Sequence, residues 1–153
     1  MKKNLSIYLI HPISGLTCEQ VMGYYKEKRE LYENLGYIVY SPMTGKKQLR
    51  PEAEYRAHGV VGNPVAANHA IYNRDRWMCS QKADVLFADL LGCKNVSIGS
   101  CMELAIGSYA RKHTVAAIEE GNPHMHAFVL EAVDTLFNNE PDAREYLRQL
   151  AQE

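Results

Sequence analysis

The amino-acid sequence predicts an α/β protein with a doubly wound parallel sheet, built as a single domain over residues 1–153. Short apolar runs of four to six residues alternate with segments of helical character, which is the pattern of such sheets. A chain of 153 residues is long enough for one domain with a sizeable core. Apolar residues make up 46% and charged residues 23%, as in ordinary globular proteins.

Five short runs predict the strands, because each is rich in apolar, β-favouring residues and ends at Pro, Gly or polar residues. They are Leu5–Ile10, Tyr37–Tyr40, Ala83–Ala88, Thr114–Ile118 and Val133–Phe137.

The first predicted helix has a signal at each end. Thr17 and Gln20 have the spacing of a capping box, and Gly36 stands where a helix-ending glycine belongs. Asn63-Pro64 predicts the start of a second helix that runs to about Lys82, and residues 43–62 before it predict a surface loop. The remaining predicted helices are 99–111, a short one ending at 132, and 140–152.

Charge and cysteine content exclude several classes of function. Seventeen Lys and Arg against eighteen Asp and Glu leave a net charge of −1, so we expect no nucleic-acid partner. No apolar run approaches a membrane span, and we expect a cytoplasmic protein without an export signal. The four cysteines form no Cys-x-x-Cys pair, and His124-x-His126 is a weak metal pattern. We therefore expect no metal and no cofactor.

In a doubly wound sheet, ligands bind beyond the carboxyl ends of the strands. The first such loop, residues 11–15, lacks the spacing of a dinucleotide fingerprint. Ser14 and Gly15 either offer a hydroxyl and amides to an anion or form a tight turn. After the third strand, Ser97, Gly99 and Ser100 lie at a predicted helix start. There they either bind an anionic group or only cap the helix.

Two carboxylates have positions suited to chemistry. Glu103 falls in the first turn of the predicted helix among apolar neighbours. This position suits either a partner of the helix dipole or a catalytic group that acts as nucleophile or base. Asp75 lies between two arginines within a predicted helix, as either an ion-paired surface residue or a proton donor. Two carboxylates at one pocket would support cleavage of a glycosidic bond.

Three segments together resemble the nucleoside 2-deoxyribosyltransferase family. They are Ile7-Tyr-Leu-Ile-His-Pro-Ile-Ser-Gly15, Arg74-Asp75 leading into Ala83-Asp84-Val-Leu-Phe, and Ser97-x-Gly99-x-x-x-Glu103-Leu. The resemblance spans residues 5–137 in order and spacing. Residues 96–105 with Gly121-Asn-Pro-His-Met-His-Ala-Phe128 resemble bacterial and phage members in particular.

The resemblance implies a five-stranded flavodoxin-like sheet and cleavage of the N-glycosidic bond of 2'-deoxynucleosides or deoxynucleotides. The family's nucleophilic glutamate matches Glu103, which would form a deoxyribosyl ester. Its base-side aspartate matches Asp75, which would protonate or orient the departing base. Its first-strand tyrosine matches Tyr8, which would position the glutamate.

The family contains transferases, in which a second base accepts the sugar, and hydrolases, in which water does. Members similar to 2'-deoxynucleoside 5'-phosphate N-hydrolase carry a serine six residues before the glutamate, and Ser97 matches it. Many free-nucleoside transferases carry an aspartate there. A neighbouring subunit completes the site in this family, and the matching residue is His126, which implies a homo-oligomer.

We therefore expect an N-glycosidase acting on deoxynucleoside 5'-monophosphates, or on deoxynucleosides, with Gly99 and Ser97 among the substrate-binding residues. One alternative is base exchange between free deoxynucleosides, which an acceptor base would reveal. Another is a nucleotide-binding protein without catalysis, in which Glu103→Ala would leave ligand affinity unchanged.

Overall fold

A computed structural model describes residues 4–44, 64 and 67–153 of the chain. Its strands form one parallel sheet in the order β2-β1-β3-β4-β5, so the predicted fold class is confirmed. The strands are β1 (Ser6–Ile10), β2 (Ile38–Tyr40), β3 (Val85–Asp89), β4 (His113–Ala117) and β5 (Thr135–Phe137). The helices are α1 (Cys18–Asn34), α2 (Asn68–Trp77), α3 (Ile98–Tyr109), α4 (Ala127–Glu131) and α5 (Glu140–Gln152).

Helix α1 confirms both of its predicted end signals. The amide of Gln20 donates to Thr17 Oγ1 at 3.2 Å, and the amide of Thr17 donates to Gln20 Oε1 at 2.9 Å. Two otherwise unpaired amides are thus satisfied by local side chains. Gly36 follows the helix with φ at +100°, a conformation that only glycine adopts without strain.

The predicted start of the second helix is wrong where the structure describes it. Pro64 lies in a turn, and α2 begins at Asn68 after Ala67, which has no side-chain oxygen for capping. Asn-Pro is a signal for turns as well as for helix starts, and here the turn forms. Asn63 and residues 45–62 of the predicted loop lie outside the described residues. At its other end α2 continues into a π-helical turn, Met78–Lys82.

The two faces of the sheet bury different helices, because successive strand residues point to opposite sides. On β1, Ile7 and Leu9 pack with α1 and α5, whereas Tyr8 and Ile10 pack with the π-helical turn, α3 and α4. Strand residues from β1, β3 and β4 are buried on both faces, as expected for a parallel sheet with helices on each side.

The strand order decides where a ligand can bind. Strand β1 lies between β2 and β3, so the connection from β1 to β2 runs to one side of it and the connection into β3 runs to the other. A crevice therefore opens at the carboxyl ends of β1 and β3. Asp84 lies at the other edge, where its Oδ2 accepts hydrogen bonds from the amide and hydroxyl of Ser6 at 2.9 and 2.7 Å. Asp84 therefore ties β1 to β3 and does not belong to the crevice.

None of the helices in the described part of the chain has both the length and the apolar character to cross a membrane.

Candidate active site

The centre of the candidate site is a hydrogen bond between β1 and α3. Tyr8 is fully buried, and its hydroxyl donates to Glu103 Oε1 at 2.7 Å. Burial first, and then the nearby charges of Glu103 and Asp75, raise the pKa of Tyr8 well above its ordinary value. The phenol therefore keeps its proton at neutral pH and acts as the donor to the carboxylate.

Asp75 lies on α2 and is 8% exposed, so it is not the surface residue that its arginine neighbours favour. The Nε of Arg74 donates to Asp75 Oδ1 at 3.1 Å, which gives the carboxylate a cationic partner. Arg74 Nη2 is also buried, and it has no hydrogen-bond partner in the described part of the chain. The ion pair predicted for Asp75 is thus present, but it is held largely away from water.

The two carboxylates act on the same buried groups. Both Asp75 and Glu103 raise the pKa values of the same three groups, the hydroxyls of Tyr8 and Tyr25 and the thiol of Cys79. Such charge effects act over short distances in a partly dry interior. Tyr8 and Glu103 are therefore in direct contact with Asp75 nearby, and the roles that the resemblance implies for the three residues stay predictions.

Glu103 lies deeper in its helix than the sequence predicts. Because α3 begins at Ile98, Glu103 falls in the second turn rather than the first. The field of the helix dipole weakens beyond the first turn, so a dipole partner is the poorer explanation of this residue. The half-buried carboxylate instead has the phenol of Tyr8 as a specific partner.

Cys79 is the potential nucleophile nearest to this pair, but its thiol is inert. It lies in the π-helical turn with no exposed surface. Burial, followed by the charges of Glu103 and Asp75, raises the pKa of the Cys79 thiol well above its usual value. Because the thiolate is the reactive form, Cys79 is a packing residue beside the site.

The start of α3 combines a cap with unused donors. Ser97 Oγ accepts from the amide of Ser100 at 3.3 Å and from the Ser100 hydroxyl at 2.9 Å. A hydroxyl accepts two hydrogen bonds and donates one, so the Ser97 proton remains available. The amides of Ile98 and Gly99 also have no acceptor among the described residues, as at any helix start. Ser97 therefore caps the helix, and three donors remain at that point.

Gly99 and the turn after β1 are open to solvent. A Cβ on Gly99 would meet no atom within 4 Å, so an incoming group has room beside its amide. Ser14 and Gly15 are exposed in a tight turn, and Gly15 has φ at +83°. Neither of them hydrogen-bonds Ser97 in the described part of the chain. The predicted tight turn is present, and substrate binding by Ser14 and Gly15 stays a prediction.

His126 lies apart from the Tyr8–Glu103 pair, at the start of α4. It is exposed, and its Nδ1 accepts from the amide of Phe128 at 3.3 Å. Its neighbours Met125 and Phe128 are 43% and 84% exposed. A role for His126 in the site of a second copy is compatible with this exposure and stays a prediction.

Two buried residues next to the site were missed from the sequence. His124 is fully buried and its Nε2 accepts from the amide of Ser97 at 2.8 Å, while Asn122 accepts from His124. Asn122-Pro-His124 follows a strand end, which is a usable signal, but the His124-x-His126 spacing by itself indicates only a weak metal pattern. Among the described residues, no three His, Cys, Asp or Glu side chains are grouped to hold a metal ion.

Comparison with known proteins places the fold. The model is similar to a conserved protein from Enterococcus faecalis V583, with a TM-score of 0.66 and 14% identity over 97% of this chain and 99% of that one. A 2-deoxyribosyltransferase from Bacillus psychrosaccharolyticus matches with a TM-score of 0.58 and 16% identity over 92% and 91% of the two chains. A 2-desoxiribosyltransferase from Leishmania mexicana matches with a TM-score of 0.57 and 16% identity over 95% of this chain and 97% of that one.

No protein-family model and no curated protein matches the sequence. The structural matches nevertheless cover nearly the whole of each chain. The protein therefore has the 2-deoxyribosyltransferase fold, a single five-stranded parallel sheet with helices on both faces. Fold alone does not determine activity, which depends on the residues of the site.

Proposed function

We propose that the protein cleaves the N-glycosidic bond of 2'-deoxynucleoside 5'-monophosphates, or of deoxynucleosides, through a covalent intermediate on Glu103. The observation that carries this proposal is the 2.7 Å hydrogen bond from Tyr8 to Glu103, with Asp75 close by, in this fold. A carboxylate that accepts a hydrogen bond from a neutral phenol is oriented for nucleophilic attack.

The reaction balances with these residues alone. One oxygen of Glu103 bonds to the anomeric carbon while the bond from that carbon to the base nitrogen breaks. The base leaves with the electron pair and takes a proton from a water molecule that the Asp75 carboxylate orients. A second water then attacks the anomeric carbon as its proton passes to solvent, and the ester oxygen returns to Glu103 as carboxylate. The products are the free base and the deoxyribose sugar.

The preference for a 5'-monophosphate rests on the start of α3. The Ser97 hydroxyl and the amides of Ile98 and Gly99 are donors at the positive end of a helix, which favours an anionic group. An aspartate at position 97 would repel a phosphate, so serine there supports the phosphorylated substrate. Ser14 and Gly15 would add donors from the turn after β1.

Base exchange between free deoxynucleosides is the second candidate function. Its support is the fold, because two of the similar structures are described as 2-deoxyribosyltransferases. In that reaction the nitrogen of a second base replaces water as the attacking group, and the ester on Glu103 is the same. For either reaction we propose a homo-oligomer in which His126 completes the site of a neighbouring subunit.

The test is the release of free base from a panel of deoxynucleosides and their 5'-monophosphates, each with and without an acceptor base. We expect release from monophosphates without acceptor, reduced at least about 1,000-fold in Glu103→Ala, since the covalent step is removed. Glu120→Ala, which changes an exposed glutamate, is the matched control and keeps wild-type turnover.

Each other outcome has a defined meaning. New nucleoside formed only when acceptor is present would establish base exchange in place of hydrolysis. Turnover that survives in Glu103→Ala would disprove the covalent mechanism. Ligand binding without turnover by the wild type would identify a non-catalytic nucleotide-binding protein.

A further inference from the structure

A chain of buried polar groups connects the loop after β4 with the start of α3. Asn122 is 5% exposed, and its Nδ2 donates to the carbonyl of Leu90 at 2.7 Å and to Glu119 Oε2 at 2.9 Å. The other oxygen of Glu119 accepts from the amide of Gly92 at 3.0 Å. The ends of β3 and β4 are therefore joined by side chains of one short loop.

Hydrogen-bond chemistry determines the orientation of Asn122 and the tautomer of His124. The Leu90 carbonyl can only accept, so Asn122 presents Nδ2 to it and Oδ1 to His124. The Ser97 amide can only donate, so His124 Nε2 must carry a lone pair. The proton of the neutral ring is then on Nδ1, which donates to Asn122 Oδ1 at 2.9 Å.

This arrangement decides which groups at the start of α3 remain for a ligand. His124 uses the Ser97 amide, while the Ser97 side chain caps the helix at the amide of Ser100. The amides of the next two residues have no acceptor among the described residues, and the Ser97 hydroxyl still has a proton to donate. Loss of the His124 acceptor would leave the half-buried Ser97 amide without its partner and free to reorient.

We propose that His124 is a positioning residue for recognition of the substrate's 5'-phosphate, acting through Ser97 and the first turn of α3. This inference rests on the proposed function, since it deepens the role of Ser97 there. His124 is fully buried and does not touch the ligand. Glu103 lies six residues after Ser97, next to the fully buried Leu104, which anchors α3 in the core. The reacting carboxylate is therefore held independently of His124.

The predicted signature is a selective loss of affinity for phosphorylated substrates. His124→Leu keeps the apolar volume but removes the acceptor, and His124→Gln keeps an acceptor. Steady-state kinetics are measured on a 2'-deoxynucleoside 5'-monophosphate and on the same nucleoside without phosphate. We expect about a tenfold rise in KM for the monophosphate in His124→Leu with kcat nearly unchanged, and no change in kcat/KM for the nucleoside. His124→Gln should recover most of the loss.

Calorimetric binding of 2-deoxyribose 5-phosphate and of 2-deoxyribose supplies a readout that does not depend on the base or on turnover. His124→Leu should weaken the phosphorylated sugar about tenfold relative to wild type and leave the plain sugar unaffected. If His124→Leu does not fold, Asn122→Ala, which removes the oxygen that holds the tautomer, is expected to give the same selective loss.

Two results would overturn the role of His124. One is an equal loss for phosphorylated and unphosphorylated ligands, which is the mark of a structural residue. The other is a KM for the monophosphate that stays at the wild-type value in both His124→Leu and Asn122→Ala, or in whichever of the two folds. Failure of the proposed function appears separately, in the wild type, as absent turnover of every substrate. If the wild type acts only on unphosphorylated nucleosides, phosphate recognition fails and the role of His124 fails with it.

Discussion

At the scale of single residues, the site depends on a tyrosine whose chemistry is set by burial. Tyr8 occupies the middle of the first strand, a position that an apolar side chain would fill equally well. A buried hydroxyl needs a partner, and Glu103 Oε1 at 2.7 Å is that partner. The bond therefore orients the carboxylate and satisfies the phenol at the same time.

Tyr8→Phe removes this donor and almost no volume. A hydrogen bond to a charged group is worth about 1.5–3 kcal/mol, so we expect kcat for base release to fall about 10- to 100-fold. Tyr146→Phe is the control, because its hydroxyl bonds His113 at 2.7 Å on the other face of the sheet. Turnover by Tyr8→Phe equal to that of the wild type would show that Glu103 needs no such orientation.

At the scale of secondary-structure elements, α3 connects the proposed nucleophile with the core. Its last turn packs so closely on β3 that a Cβ at Gly107 would overlap the Cδ2 atom of Leu86, which is fully buried. Gly107 therefore allows the close approach of helix and sheet that sets the depth of Glu103. Gly23 in α1 is the opposite case, since it is exposed and a Cβ there would meet nothing within 4 Å.

The two glycines give a matched pair of substitutions. Alanine is the better helix former by about 1 kcal/mol, so Gly23→Ala should raise the free energy of unfolding by about that amount. At Gly107 the same gain is opposed by overpacking that costs about 1–3 kcal/mol, so Gly107→Ala should lower it. Urea unfolding of both variants measures the difference. A Gly107→Ala protein as stable as Gly23→Ala would show that Leu86 moves aside without cost.

At the scale of the whole molecule, the face of the sheet that carries the candidate site also carries the exposed apolar side chains of its helices. Trp77, Ile98 and Tyr109 are 49%, 74% and 93% exposed, and Phe128 beside His126 is 84% exposed. Large apolar groups grouped on one face mark interaction surfaces in general. This distribution supports the proposed homo-oligomer.

A mixing experiment tests whether His126 acts in the site of a neighbour. Glu103→Ala and His126→Ala proteins should each lose most activity. If each site uses Glu103 of one copy and His126 of another, mixed dimers contain one complete site, and an equimolar, re-equilibrated mixture should recover about a quarter of the wild-type activity. Recovery is measured after dissociation and reassembly of the mixed subunits. No recovery, from variants shown to exchange subunits, would place His126 in its own subunit's site or outside any site.

The sequence by itself determined the order of the elements and the local end signals, since these depend on residues close together in the chain. The Thr17–Gln20 capping box and Gly36 were predictable because each acts over at most a few residues. The resemblance to a family also placed Tyr8 and Glu103 in one site. Asn63-Pro64 gave a wrong start for the second helix, because Asn and Pro are typical of turns as well as of helix starts.

Only the tertiary structure decided which polar groups meet. Tyr8 and Glu103 are 95 residues apart, and Ser97 and His124 are 27 apart, so no local pattern pairs them. Burial converts Asp75 from an ordinary helix residue into a shielded carboxylate, and it converts His124 into a fixed acceptor. The physical reason is the same in each case: a polar group removed from water must find its partner inside the protein, and the packing of strands and helices determines which partner is within reach.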